Sequence, residues 1–178
     1  MNSLILVNGQ HAYSPDAKQD LIPVREDHPD ILLEREAVCA LSCILERLDG
    51  WKFIVPVSGW RSLEEQLAIY QESLRENGPE FTARFVAMPG HSEHQTGLAI
   101  DLGLRQPDID FIRPAFPYEG ICQKFRELAP AFGFIERYPA GKEHITGIAH
   151  EPWHFRYVGM PHSEIMTFKG LTLEEYLA

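Results

Sequence analysis

Pro152 limits what the chain around it can become. It sits in "HEPWH", His150–His154, which matches the pattern H-E-x-x-H. In that pattern two histidines one helical turn apart bind zinc, and the glutamate between them activates a water. A helix tolerates proline only in its first turn, because proline lacks an N–H and its ring clashes with the preceding turn. Proline also pushes the residue before it, here Glu151, away from helical angles. The residues that follow, "HFRYVG" (154–159), are aromatic and β-branched and favour a strand. The segment is therefore expected to be extended rather than a zinc-protease helix. In an extended chain His150 and His154 need not converge, whereas Glu151 and His154 can aim into one cleft. Catalytic zinc usually takes three protein ligands and keeps one position open, so further ligands must come from elsewhere.

The donor-rich candidate is "GHSEHQTGLAID" (90–101), which offers His91, Glu93, His94 and Asp101. Gly97 permits a tight backbone approach before a strand expected over 98–104, along which Ala99 and Asp101 share one face. A loop histidine and a strand aspartate can thus meet one metal.

The rest of the chain reads as one domain. Residues 3–7 look like a short strand, and residues 10–30, rich in Pro, Asp and His, read as an irregular covering segment. Apolar residues recur at helical spacing from Asp30 to Leu48, with Asp49-Gly50 as the stop. A strand is expected over 51–59, with Pro56 placing it at an edge or strand end. Ser62 and Glu65 form a capping box that opens a helix closing near Asn77-Gly78. Residues 79–97 and 105–120 read as loops, and 120–130 as a short helix. Residues 136–147 read as a loop beside the site, a lid or a solvated hairpin. Pro161 can start a short helix, and Thr172 with Glu175 caps a last one. Helices interspersed with strands, and hairpin-like returns near the end, favour an α+β fold with a mainly antiparallel sheet.

Composition narrows the partners. The net charge of −10 disfavours nucleic acid. No run approaches the ~18 apolar residues of a membrane span. The N-terminal "MNSLILVNGQHAYSPD" lacks the basic region of a signal peptide, so a cytoplasmic location is expected. Cys39, Cys43 and Cys122 have no framework spacing and are expected to be buried structural thiols.

"SEHQTGLAID" fits S-x-H-x-x-G-x-A-x-D from Ser92 to Asp101, and "EPWH" fits E-x-x-H from Glu151 to His154. With "SGWRS" (58–62), these motifs resemble the D-Ala-D-Ala metallopeptidases: the VanY-type carboxypeptidases, the VanX dipeptidases and the bifunctional VanXY enzymes. The resemblance covers about residues 50–160, and "PHSEI" with "TLEEYL" further on also looks VanXY-like. It implies a single D,D-peptidase catalytic domain over residues 1–178, with a zinc cleft holding one Zn2+ per chain. The implied ligands are His94, Asp101 and His154. Glu151 is the implied catalytic base, and Arg61 the group that stabilises the transition state. Ser92 and Gln66 match positions that line the substrate pocket. The implied substrate is a small peptide ending in D-Ala-D-Ala, and the implied role is removal of ordinary peptidoglycan precursors in vancomycin resistance. Trp60 stands where a tyrosine is common, and Ser58 where some dipeptidases and VanXY enzymes carry aspartate.

The donor types suit this chemistry. Two imidazoles and one carboxylate leave a zinc site with formal charge +1, so the ion stays Lewis acidic. A free carboxylate beside it can move a proton, and an arginine can share the charge that develops on oxygen. Plainer readings stand beside these: Gln66 as an exposed helix polar, Ser92 as a loop cap, Trp153 as a packing residue, and His91 and His150 as neighbours of the site or surface groups. His11, His28, His144 and His162 look peripheral. Alternative functions are an L,D- or D,D-carboxypeptidase or endopeptidase of cell-wall turnover or phage lysis, and an inactive zinc-binding relative.

Overall fold

The computed structural model describes residues 2–14 and 18–178. The expected covering segment over 10–30 includes residues 15–17, which lie outside the described residues. Its second half is regular instead: β1 (Leu21–Arg25) and β2 (His28–Glu34) pair as an antiparallel hairpin. This hairpin also shortens the first helix, α1, which spans Arg35–Arg47 rather than starting at Asp30. Leu33 fits a helical repeat, but it is buried from a strand, so periodicity alone misassigned it. From α1, Ala37, Leu41, Ile44 and Leu45 enter the core. Asp49 takes left-handed angles at φ 50° and ends the helix where the sequence predicts a stop.

A four-stranded antiparallel sheet carries the rest. Its order is β3 (Ile54–Ser58), β4 (Ala99–Leu104), β6 (Glu151–Tyr157) and β5 (Phe134–Tyr138). The strand β3 with Pro56 lies at the edge, where a missing N–H is tolerated. Within this sheet one strand was not anticipated: β5 takes up the start of the segment read as a loop over 136–147, and the short helix α4 (Glu143–Thr146) takes up its end. The last strand also starts earlier than His154, at Glu151.

The helix α2 (Leu63–Phe85) opens on the expected capping box of Ser62 and Glu65, but it continues past Asn77-Gly78. Gly78, at φ 80°, lets the chain turn without ending, and Pro79 begins the second segment. Ser73 and Thr82 share a 2.7 Å hydrogen bond that pins the two segments together. The continuation carries Phe85, Val86 and Ala87 to the cleft. Helices α3 (Gly120–Leu128), α5 (His162–Lys169) and α6 (Leu173–Leu177) complete the fold, the last with the expected Thr172–Glu175 capping box.

Residues 3–7 are not a strand. Leu4 and Leu6 pack on a second apolar cluster with Val158, Met166 and Leu173. The carbonyls of Ser3 and Ile5 accept from the Arg156 guanidinium, so they are committed to a side chain instead of a ladder. Cys122 is buried as expected, but Cys39 and Cys43 are exposed, because the buried stripe of α1 runs through Ala37, Leu41 and Ile44 and leaves them on its outer side. The result is an α+β domain with antiparallel sheets flanked by helices.

Candidate metal centre and its surroundings

Three neighbouring strands bring Ser58, Asp101 and His154 into one row. Asp101 pairs with Ser58 on one side and His154 on the other. Directly opposite residues of an antiparallel pair point to the same face, and the Asp101 Oδ1 to His154 Nδ1 distance is 2.9 Å. His94 reaches this row from a 3-10 turn, Glu93–Thr96, which closes on Gly97 at φ 72°. A Cβ on Gly97 would meet Leu21 Cδ2 at 2.7 Å, so the tight approach expected there is real.

The His94 ring is fixed from behind. Its Nδ1 lies 2.7 Å from the carbonyl oxygen of Gly59. A carbonyl only accepts, so Nδ1 holds the proton and the Nε2 lone pair faces the row. Gly59 is itself confined: a Cβ there would meet the Leu32 carbonyl oxygen at 2.4 Å, which ties the outer hairpin to the position of His94. The ligand-type atoms of His94, Asp101 and His154 lie within 4.8 Å of one another, and all three residues are buried. Two imidazoles, one with its tautomer set by a carbonyl, and one carboxylate form a donor set that fits a zinc ion.

Glu151 and His154 are three residues apart on β6, so a regular strand would put them on opposite faces. A bulge corrects this. Glu136 pairs with Phe155 and Tyr138 with Glu151, so four residue steps on β6 match two on β5. Pro152 lies in this excess, and its carbonyl accepts a 2.7 Å bond from Arg126 Nη2. The same guanidinium bonds Glu136 and the carbonyls of Phe116 and Pro117. Bulges re-aim side chains in this way, and here the Glu151 carboxylate comes to 3.8 Å from His154 Nδ1. Among the described residues, His154 is its only ion-pair partner. His150 points elsewhere, to Tyr118 and Glu136 at 2.6 and 3.5 Å.

Arg61 leans over the cluster from the entrance of α2. Its Nε donates to Ser58 Oγ at 2.9 Å, Nη1 to Gln66 Oε1 at 3.1 Å, and Nη2 to Asp101 Oδ2 at 3.0 Å. Nη2 also lies 3.2 Å from His94 Nε2. Gln66 is fully buried, not an exposed helix polar, and its amide nitrogen is anchored on the Ala87 carbonyl. Gln66 therefore holds Arg61. Ser92 is buried and lines the cleft without capping the 3-10 turn that follows it. Trp153 packs in the main core and also walls the cleft, with Phe111, Ile112 and Ile148 as further apolar surface. His91 is tied to the carbonyl of Asn8 and lies outside the cluster.

Burial and neighbouring charge divide the ionisable groups. Burial pushes the Glu151 carboxyl up to about 8, although the charge on His154 pulls the other way. Burial, helped by the Arg61 charge, pushes His94 down to about 4 and keeps its ring neutral at ordinary pH. For His154 burial works downward, but hydrogen bonds donated by the ring to Asp101 and Glu93 overcome it and raise the ring to about 9. Burial also works against the Asp101 carboxylate, yet the facing imidazoles hold it well below its usual range.

Sequence reasoning did not assign roles to two further residues here. Tyr138 lies tilted against the His154 ring, with centroids 4.9 Å apart, and burial holds its hydroxyl well above the usual range. Glu93 is fully buried and approaches His154 from the side away from Asp101. The donor stretch names Glu93, but its partners Arg137 and Arg156 lie on strands far along the chain and no local pattern links them to it.

A three-residue cluster able to hold a metal ion, with a carboxylate and an arginine beside it and set across an antiparallel sheet, is the arrangement of a metal-dependent hydrolase. The VanY family, described as D-alanyl-D-alanine carboxypeptidase, matches residues 30–160, and this chain belongs to it. The chain is 42% identical over 179 residues to the bifunctional D-Ala-D-Ala dipeptidase and D-Ala-D-Ala carboxypeptidase VanXYC of Enterococcus gallinarum, covering 99% of this chain and 94% of that protein. The vancomycin resistance D,D-dipeptidase VanXYg, solved in complex with a D-Ala-D-Ala phosphinate analogue, superposes with a TM-score of 0.97 at 56% identity, over 99% of this chain and 70% of that one. The D,D-pentapeptidase VanY of a VanB-type cassette, solved as an E175A mutant with Zn(II), gives a TM-score of 0.84 at 30% identity over the whole of both chains.

Proposed function

We propose that residues 1–178 act as one zinc-dependent D,D-peptidase domain that removes the terminal D-Ala of peptidoglycan precursor pentapeptide and also splits the D-Ala-D-Ala dipeptide. The observation that carries this reading is the buried His94–Asp101–His154 cluster, with Glu151 brought beside it by the bulge at Pro152. Supporting it are the names of the relatives: VanXYC is a dipeptidase and carboxypeptidase, and VanXYg binds a D-Ala-D-Ala analogue.

In this reading His94, Asp101 and His154 hold one zinc, which supplies Lewis acidity at the scissile carbonyl. Glu151 accepts the proton of the attacking water and returns it to the departing amine. Its raised affinity for the proton suits the second half of that task. Arg61, held at three points by Ser58, Gln66 and Asp101, directs its guanidinium at the charge that develops on the carbonyl oxygen. Ser58, at the position where the family resemblance leads one to expect aspartate in some members, is an Arg61 acceptor in this chain. Ser92 and the apolar surface of Phe111, Ile112 and Trp153 form walls suited to the small methyl side chains of D-alanine.

A cytoplasmic location is part of the proposal. Among the described residues no helix is long and apolar enough to cross a membrane, and cell fractionation tests the location itself. The enzymatic reading is tested by D-Ala release from the dipeptide and from the pentapeptide, with and without a chelator. Chelator-sensitive release from both supports it. Release only from an L,D-linked tetrapeptide would replace it with the L,D-carboxypeptidase alternative.

A further inference from the structure

An imidazole offers a metal two nitrogens that point in different directions, and the partner of one decides which is free. His154 has a carboxylate on each side. Asp101 Oδ1 lies 2.9 Å from Nδ1, and Glu93 Oε2 lies 3.4 Å from Nε2. Asp101 belongs to the cluster, and Glu93 does not.

Glu93 is built in from behind. Its Oε1 accepts from Arg137 Nε and from Arg156 Nη1, each at 2.7 Å, and the side chains of all three residues are completely buried. Arg137 is gripped in turn by both oxygens of Glu174 on α6, at 2.8 and 2.7 Å. Arg156, two residues beyond His154 on the same face of β6, is satisfied by the carbonyls of Ser3 and Ile5 at 3.1 and 2.7 Å. Two guanidiniums and two carboxylates balance in charge. With Oε1 committed to the arginines, Oε2 is left for the histidine.

We propose that Glu93 is a positioning residue, which accepts the Nε2 proton of His154 and so presents the Nδ1 lone pair to the metal. The inference rests on the reading that His94, Asp101 and His154 hold zinc. An ion pair that served packing alone would have no reason to place its free oxygen on the outward nitrogen of a ligand ring. A carboxylate behind a ligand histidine fixes its tautomer and orientation, and losing one typically costs about 10–100-fold in metal affinity.

The test uses the full chain with nitrogen-labelled histidine. Loaded with NMR-active cadmium, the wild-type protein is expected to show metal coupling to Nδ1 of His154 and a retained proton on Nε2. Coupling to Nε2 of His154 would overturn the inference, and no coupling to His154 at all would overturn the metal reading on which it rests. In Glu93→Gln, zinc affinity measured by chelator competition is expected to fall by about 10–100-fold. The His154 ring resonances of the metal-stripped variant should also move, with far-ultraviolet circular dichroism unchanged. A folded Glu93→Gln protein with wild-type zinc affinity and unmoved ring resonances contradicts the role of Glu93 while leaving the metal reading intact. If Glu93→Gln does not fold, the wild-type cadmium spectrum alone decides.

Discussion

Asp101 and His154 face each other directly across β4 and β6, with the carboxylate 2.9 Å from the ring nitrogen. Because this contact is a cross-strand pair, its geometry is set by sheet register and not by a loop. A one-residue slip of β6 would turn His154 to the opposite face and dissolve the cluster. Two members of the cluster, Asp101 and His154, therefore stand on paired strands in the middle of the sheet, and the third, His94, comes from a 3-10 turn, while Glu151 and Arg61 reach the cluster from a bulge and a helix entrance.

Glu151 is close to the cluster without belonging to it. Glu151→Gln is expected to keep zinc and substrate binding while kcat falls by roughly 10²–10⁴, the range for loss of a general acid–base group. Steady-state D-Ala release combined with metal analysis checks this. A variant that turns over at the wild-type rate would remove Glu151 from the mechanism.

Arg61 is expected to act on the transition state. Arg61→Ala should lower kcat by ~10²–10³ with a smaller effect on KM. Gln66→Ala, which frees one of the three points that hold the guanidinium, should show a weaker loss of the same kind. A Gln66→Ala variant that raises KM and leaves kcat alone would place Gln66 on the substrate instead.

Arg126 ties the bulge that carries Glu151 to the rest of the fold through the Pro152 carbonyl. Arg126→Lys keeps a charge beside Glu136 but loses the planar fork that spans the Phe116, Pro117 and Pro152 carbonyls. The expected result is normal zinc content with reduced kcat, because Glu151 is no longer held while the Asp101–His154 register survives. Loss of zinc in this variant would mean that the bulge supports the cluster itself.

The metal-stripped protein is expected to lose stability as pH rises from 6.5 to 9. The folded Glu151 carboxyl, raised from its ordinary 4.5 to about 8, keeps a proton that the unfolded chain has already released, so its contribution falls as pH rises through that window. His154, raised from 6.5 to about 9, contributes stability that is complete below 6.5 and is lost through about 9. Both trends have the same sign above pH 6.5. Urea midpoints at the two pH values check this, and Glu151→Gln should flatten the profile. A midpoint that rises toward pH 9 contradicts the assignment.

Much of the site was legible because its motifs are local. Ser92 to Asp101 and Glu151 to His154 carry the cluster and the nearby carboxylate in two short stretches, and Pro152 with the strand-favouring residues after it argues against the helical zinc motif. What escaped was whatever depends on distant partners. The β1–β2 hairpin hid inside a segment whose last residues also fit a helical repeat. The strand β5 was masked because its pairing with β6 is broken by the bulge. The Gly78-Pro79 step looked like an end, yet the Ser73–Thr82 contact continues the helix across it. Glu93 stood within the motif, but its meaning depends on Arg137, Arg156 and Glu174, which only the folded sheet brings together.

The central claim is that one zinc ion, held by His94, Asp101 and His154, is required for D,D-peptidase activity. The most direct measurement is D-Ala release from the D-Ala-D-Ala dipeptide by wild-type protein stripped of metal and then titrated with zinc, with His154→Ala treated in parallel. The account predicts that stripped protein is inactive, that activity returns and saturates at one zinc per chain, and that His154→Ala regains none of it. Full activity in the stripped protein, or recovery in His154→Ala equal to the wild type, would contradict it.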